Sequence, residues 1–278
     1  MKRLLPTTVC LLVMSSVALA QATTGMTGKQ IRKHRYGSIS CGSDPILPTD
    51  GSTIQDFVTP SSASYYLVHL KDGHSYSAEV YDPVDATISA AAQLVLLSAT
   101  GCSPLSTTDV VNVDPDLSNA FSDRISWVQS GDADAVLEVI NPDSANTYSY
   151  NIRIVDTTLR NARWSTVLGG AFSTHYGFLN TTESAIQGTL TLYASDGQIY
   201  TASFTIPAAG EVFQTVCGTG SAGCSAQNIE VPSNKAGFAT FAFIGPPGAV
   251  TVDGYFQGVV NGVFVMVPTA WSSRNSQH

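Results

Sequence analysis

Charged side chains are scarce in this 278-residue chain, at 12% of the total, and helical periodicity is scarcer still. No segment carries three turns of 3.6-residue spacing with caps, which excludes a helical bundle. Positive charge is in short supply: 13 Lys and Arg face 21 Asp and Glu, a formal −8. Four of the basic residues, Lys29, Arg32, Lys33 and Arg35, crowd one short stretch, so the remainder is more acidic still. That field repels nucleic acid and anionic headgroups, and neither is expected as a main partner. Catalytic and metal-binding vocabulary is thin as well. The chain has no Gly-x-Ser-x-Gly elbow, no Cys-x-x-Cys pair and no Asp-x-Asp-x-Asp-Gly calcium loop. Gly220-Ser221-Ala222-Gly223 comes nearest to an elbow and has the wrong spacing.

What is present begins with a leader. Lys2 and Arg3 precede an apolar stretch containing Leu11, Leu12, Val13 and Met14, and Ala18-Leu19-Ala20 forms an A-x-A site before Gln21. This reads as a secretory signal, too short to be taken first as a membrane span. Export is therefore expected, to the medium, the cell surface or a periplasm, with no transmembrane segment left after the signal is removed. Loss of the leader also removes two positive charges, leaving the mature chain near −10. Ser, Thr, Gly, Val, Ala and Tyr dominate what remains, the balance of a β-rich protein with an uncharged polar surface.

Cys10 leaves with the leader, and Cys41, Cys102, Cys217 and Cys224 remain. An even number in an oxidising compartment reads as two disulfides. Cys217 and Cys224 bracket a Gly-rich loop flexible enough for their Cα atoms to approach to about 5–6 Å. Cys41 and Cys102 would then close a loop of about 60 residues, worth roughly 4 kcal/mol in the chain-entropy model. Four cysteines permit three pairings, and the spacing favours this one. A six-residue gap with no adjacent His fits zinc poorly.

Strand signals fill the chain after residue 36. Tyr65-Tyr66-Leu67-Val68 is aromatic and β-branched, Lys71-Asp72-Gly73-His74 is a turn, and Tyr76, Ala78 and Val80 share a face of the strand that follows. Gln93–Leu97, Arg124–Gln129, Ala135–Ile140 and Tyr148–Val155 continue the series, separated by Gly, Pro, Asn and Asp turns. A second set follows a joint at residues 157–163. Ser195-Asp196-Gly197 marks a hairpin, and Asn261-Gly262 marks another near the C-terminus. The expected fold is all-β: two tandem antiparallel β-sandwiches of Ig-like or jelly-roll-like type after a signal peptide. The expected boundaries are 1–20 for the signal, 21–36 for a flexible segment, 37–157 and 158–272 for the sandwiches, and 273–278 for a tail.

Tyr65-Tyr66-Leu67, the expected Leu70–Val80 hairpin with its Asp72-Gly73 turn, Asp82, Arg124-Ile125-Ser126-Trp127 and Tyr148–Ile154 together carry a resemblance. Over residues 37–157 the chain resembles the bacterial pre-peptidase C-terminal (PPC-like) sandwich. Thr158-Leu159, Arg163-Trp164-Ser165, Phe178–Thr182 and Pro246–Ala249 look like the β-domain that follows such modules in some secreted proteins of environmental bacteria. The resemblance implies non-catalytic accessory modules, attached to secreted hydrolases or acting in surface binding. The leader runs straight into the sandwich with no peptidase between them, so an accessory role to an enzyme in the same chain is not expected.

Weighed residue by residue, catalysis finds little support. His34 and His278 fall in expected tails, His74 in a turn, and His69 and His175 in strands without a Gly-rich elbow. Carboxylates offer more. Asp114-x-Asp116 and Asp132-x-Asp134 allow a Ca²⁺ site without demanding one, and no other cofactor is expected. Solvated turn residues are the plainer reading. Tyr65, Tyr66 and Tyr81 are the candidates for stacking on a ligand, whereas Trp127 and the in-phase Tyr76, Tyr148 and Tyr150 read as core. Asn180-Thr181-Thr182 reads as a turn. The expectation is a secreted, non-enzymatic binding or adhesion protein that recognises an extracellular polysaccharide or protein. The alternatives are a structural subunit pairing with copies of itself, through an apolar hairpin at Val259–Val267, and a hydrolase with an unrecognised site.

Overall fold

The computed structural model describes residues 30–31, 44–81, 92–100, 111–112, 121–166, 172–219 and 229–273. The leader, the C-terminal tail and Cys41, Cys102 and Cys224 lie outside them. Among the described residues there are strands and turns and no helix, so none is long and apolar enough to cross a membrane.

Among the described residues nine strands build the N-terminal half: β1 (Gln30–Ile31), β2 (Ile54–Val58), β3 (Ala63–Leu70), β4 (Ser75–Tyr81), β5 (Gln93–Ser98), β6 (Val111–Asn112), β7 (Phe121–Val128), β8 (Ala133–Ile140) and β9 (Tyr148–Asp156). A six-stranded sheet runs β1-β2-β9-β4-β7-β6 and a three-stranded sheet runs β3-β8-β5. All pairs are antiparallel except β1 with β2, which places Gln30 and Ile31 of the expected flexible segment on a sheet edge. Tyr66, Val68 and Leu70 from one sheet meet Tyr76, Ala78, Trp127, Tyr150, Ile152 and Ile154 from the other in one buried cluster.

The Asp72-Gly73 turn does not join a hairpin. β3 pairs with β8, while β4 pairs with β7 and β9, so the turn crosses from one sheet to the other. The reason is the alternation itself. Both strands carry an apolar face, and crossing sheets sets those faces against each other across one core. The β7–β8 turn crosses beside it, and the two lock together. Asp72 Oδ1 accepts from Gly131 N (2.6 Å), Asp132 Oδ1 accepts from Asp72 N (2.8 Å), and Gln129 O accepts from Gly73 N (2.9 Å).

Among the described residues ten strands build the second half: β10 (Leu159–Ser165), β11 (Phe172–Asn180), β12 (Ile186–Ala194), β13 (Ile199–Ile206), β14 (Glu211–Gly218), β15 (Ile229–Val231), β16 (Ala236–Phe243), β17 (Val250–Val260), β18 (Val263–Pro268) and β19 (Trp271–Ser273). They form two five-stranded sheets, β13-β12-β16-β10-β19 and β15-β14-β11-β17-β18. A second buried cluster fills the space between, with Trp164, Tyr176, Phe178, Leu190, Leu192, Phe241 and Phe243 at its centre. Both expected hairpins are present, β12–β13 and β17–β18.

The expected joint at 157–163 is mostly strand. β10 lies between β16 and β19, and only Thr157 and Thr158 separate it from β9. A register shift between Asn161 and Trp164, where Asn161 Oδ1 accepts from Arg163 N (2.8 Å), breaks the two-residue alternation that would have revealed it. Asn180 is buried and ends β11 as a turn, donating through Nδ2 to Ser184 O (2.7 Å) and Pro207 O (3.0 Å).

Candidate functional site

Three described histidines bear on catalysis, and two of them are committed elsewhere. His69 Nδ1 meets Asp134 Oδ1 at 2.6 Å on the open surface. His74 Nδ1 meets the buried Asp156 Oδ2 at 2.8 Å, and its Nε2 faces an Arg160 guanidinium nitrogen at 3.3 Å. Guanidinium only donates, so Nε2 accepts, and Nδ1 holds the proton it gives to Asp156. The nitrogen that a nucleophile would need is taken. Burial raises Asp156, but hydrogen bonds from His74 and Thr158 outweigh it and hold the carboxyl below its ordinary value.

His175 is different. Its Nε2 lies 2.7 Å from Ser173 Oγ and its Nδ1 lies 3.0 Å from Thr215 Oγ1, while its ring stacks on Tyr255 at 4.9 Å. Burial lowers its pKa. A Ser–His pair is therefore present, but a hydroxyl occupies the place of the orienting carboxylate. β11 also runs between β14 and β17, so its backbone N–H groups go to the sheet and none is left for an oxyanion.

The expected calcium residues are only partly described. Asp114 and Asp116 lie outside the described residues, Asp132 caps the β3–β4 turn and Asp134 holds His69. Among the described residues no three His, Cys, Asp or Glu side chains gather. The expected stacking tyrosines separate as well. Tyr66 is buried in the core and offers no face to a ligand. Its hydroxyl donates to Asp56 Oδ2 and meets Tyr150 Oη, both at 2.7 Å. Tyr65 points outward from the three-stranded sheet and donates to Glu138 Oε1 (2.9 Å); burial and that carboxylate push its pKa up to about 12. Tyr81 lies on the six-stranded sheet, bonded to Thr53 Oγ1 (3.1 Å) with Arg153 over its ring. No common strip unites them. Cys217 is buried at the end of β14 and is not a free thiol.

The surface that does present a continuous recognition chemistry is the outer face of the β13-β12-β16 sheet. Strand alternation turns Leu190, Leu192 and Ile206 inward and leaves Gln187, Thr189, Thr191 and Tyr193 of β12 outward. β13 contributes Ile199, Thr201, Ser203 and Thr205 in matching positions, so hydroxyls sit side by side. Thr189 Oγ1 and Ser203 Oγ bond at 2.9 Å, and Thr191 lies between Thr201 and Thr240. At one end Tyr193 stacks on Phe238 of β16, ring centres 4.6 Å apart and planes within 9°. Phe238 remains 50% exposed. Along β12 this face runs about 20 Å.

The other end opens into a groove of about 370 Å³. The β7–β8 turn supplies Val128, Gln129 and Ser130, and the second half supplies Gln187, Thr189, Ser203 and Thr205. None of these side chains is charged. Outward residues of β12 and β13 carry no charge either; Asp196 and Lys235, at the rim by the aromatic pair, neutralise each other as an ion pair. Sequence reasoning missed the face because its threonines look like the solvent half of any strand. The available signal was Thr189-Leu190-Thr191-Leu192-Tyr193 opposite Tyr200-Thr201-Ala202-Ser203, a hairpin with hydroxyls in phase.

No protein-family model matches the chain, and no curated protein matches it.

Proposed function

We propose that this is an exported, non-catalytic binding protein that lays a neutral polysaccharide along the outer face of the β13-β12-β16 sheet. The observation that carries the reading is the combination on one surface of phased hydroxyls, the Tyr193–Phe238 stack and no unpaired charge along β12 and β13. Sugars present apolar C–H faces and hydroxyl rims, so an aromatic ring takes the face while threonine and serine take the rim. A charged polymer finds no counter-charge on these strands. The leader, the pairs Cys41–Cys102 and Cys217–Cys224 and the PPC-like character of the first sandwich belong to the same proposal; the even cysteine count and the all-β fold support them.

The test is retention of the mature protein on a panel of insoluble neutral polysaccharides at low and high salt. Retention on at least one polymer, unchanged by salt and weakened at least about tenfold in F238A and Y193A, is expected. Retention on none, or retention indifferent to both substitutions, overturns the reading. A broad hydrolase screen should find no turnover.

A further inference from the structure

We infer that β18 is a dimerisation edge, pairing antiparallel with β18 of a second copy about a two-fold axis at Val265. β18 is the last strand of its sheet, with no partner on its far side among the described residues. Both of its faces are open: Val263, Phe264, Met266 and Val267, with Val259 of the neighbouring β17, are 46–63% exposed. Natural sheet edges are blunted by lysines, bulges, shortness or a covering segment. Among the other edges, β5 and β13 are uncharged too but carry Gln, Ser and Thr side chains, and the rest follow that rule. Leu67 of β3 exchanges hydrogen bonds with Pro45 and Leu47, β15 and β19 have three residues each, and β15 carries Glu230. β18 is Val-Phe-Val-Met-Val-Pro, uncharged throughout, with only Pro268 at its end.

The turn fixes which groups face outward. Asn261 and Gly262 both have positive φ (51° and 78°), the two-residue turn that makes Val260 and Val263 a hydrogen-bonded pair. From there the ladder alternates. Val263, Val265 and Val267 direct their N–H and C=O groups to β17, and Phe264 and Met266 direct theirs to the free edge. A second β18 centred on Val265 sets Phe264 opposite Met266 of the other copy, twice, and closes four backbone hydrogen bonds. One face then pairs sulfur with ring, and the other pairs Val263 with Val267 and Val265 with itself.

The area suits a second copy. The five side chains expose on the order of 500 Å² of apolar surface, the upper range for a patch on a monomer. With the turn, the backbone edge and Pro268, the strand offers roughly 800 Å², one partner's share of a standard interface. A two-fold pair uses this edge on both copies and leaves none for growth, so the product is a closed dimer. The dimer edge belongs to the sheet with β11, whereas the face proposed for polysaccharide belongs to the other sheet. Both faces stay open in the dimer, and two of them on one polymer add avidity.

Sedimentation equilibrium of the mature protein from roughly 1 to 100 μM is the experiment. A dimer is expected, strengthened by salt because both copies are acidic, and F264K/M266K should be monomeric with an unchanged circular dichroism spectrum. Val265→Cys should cross-link two chains under mild oxidation, since residues on the axis form the close, non-hydrogen-bonded pair; Val263→Cys, which faces Val267, should not. A monomer throughout the range, an F264K/M266K protein that still dimerises, equal cross-linking of both cysteine variants, or species larger than a dimer would each overturn the inference. Polysaccharide retention by the monomeric variant separates this outcome from failure of the binding-face reading.

Discussion

Tyr66 offers the sharpest test of how the first core is held. Its hydroxyl has one proton, and Asp56 accepts it at 2.7 Å; Tyr150 must then donate to Tyr66 across the second 2.7 Å contact. Asp56 is buried and also accepts from Phe57 N at 2.8 Å. Tyr66→Phe keeps the ring and removes one oxygen, so no sizeable cavity forms. What is lost is a hydrogen bond to a charged group in the interior, about 1.5–3 kcal/mol. Alkaline pH supplies a second reading of the same network. Burial, with help from the neighbouring Tyr150 and Asp56, raises Tyr66 well above 10, and burial raises Tyr150 and Tyr176 too. The sign follows from the unfolded chain, whose phenols ionise near pH 10. Below that pH the contribution is complete; above it the unfolded state releases protons that the folded state retains, and stability falls. Each such phenol contributes a slope of about 1.4 kcal/mol per pH unit, so Tyr66 and Tyr150 together give about 2.7 for the first core. Urea unfolding at pH 7, 9, 10 and 11, followed by tryptophan fluorescence, measures both effects. Tyr66→Phe should cost about 2 kcal/mol at pH 7 and halve the first core's decline above pH 10. A loss under about 0.5 kcal/mol, or an unaltered alkaline slope, refutes the network.

Three further outcomes are expected. Gly237→Ala would put a Cβ 1.8 Å from the carbonyl oxygen of Tyr193, and backbone cannot give way as a side chain can. It should cost about 2–4 kcal/mol and expose the β12–β16 amides to hydrogen exchange beside the Tyr193–Phe238 stack. Glu79 is buried between Arg124 (2.7 Å) and Arg153 (2.5 Å), three strands abreast on the six-stranded sheet. Glu79→Gln removes the carboxylate charge that both guanidinium groups meet and should cost about 3–5 kcal/mol in urea, more than Arg153→Ala, whose side chain is a third exposed. Asp156, held below its ordinary value by His74 and Thr158 despite burial, stabilises fully above about pH 4 and loses that contribution as pH falls through its folded value. His74→Ala should therefore flatten the acid limb of the stability curve below pH 4 in thermal scans.

Local alternation made much of this molecule legible before its structure. Tyr76, Trp127 and Tyr150 were placed in the core by phase, and Asn261-Gly262 and Ser195-Asp196-Gly197 announced their hairpins because their glycines supply the positive φ that tight strand-joining loops need. Tyr65 and Tyr66 could also have been separated at that stage, since neighbours in a strand face opposite ways and one of the two had to enter the core. What alternation does not encode is the partner. A strand's in-and-out pattern is the same whether its turn folds back in plane or crosses to the facing sheet, so the Asp72-Gly73 turn read as a hairpin. A bulge erased the pattern of β10 altogether.

The proposed binding face shows the same limit at the level of function. Thr189, Thr191, Thr201 and Ser203 carry no information singly, being the polar half of two ordinary strands. They become a surface only when β12 lies between β13 and β16, because that order carries Phe238 onto the ring of Tyr193 and continues the hydroxyl row to Thr240. The β18 edge is the converse case. Its apolar residues announce themselves in the chain, yet whether they would be core or surface depended on whether another strand lay beyond them. Among the described residues the sheet order β11-β17-β18 leaves that side open. Pairing, a long-range property, thus decides both where this protein is wet and where it is sticky, and the two proposed contacts fall on opposite sheets for that reason.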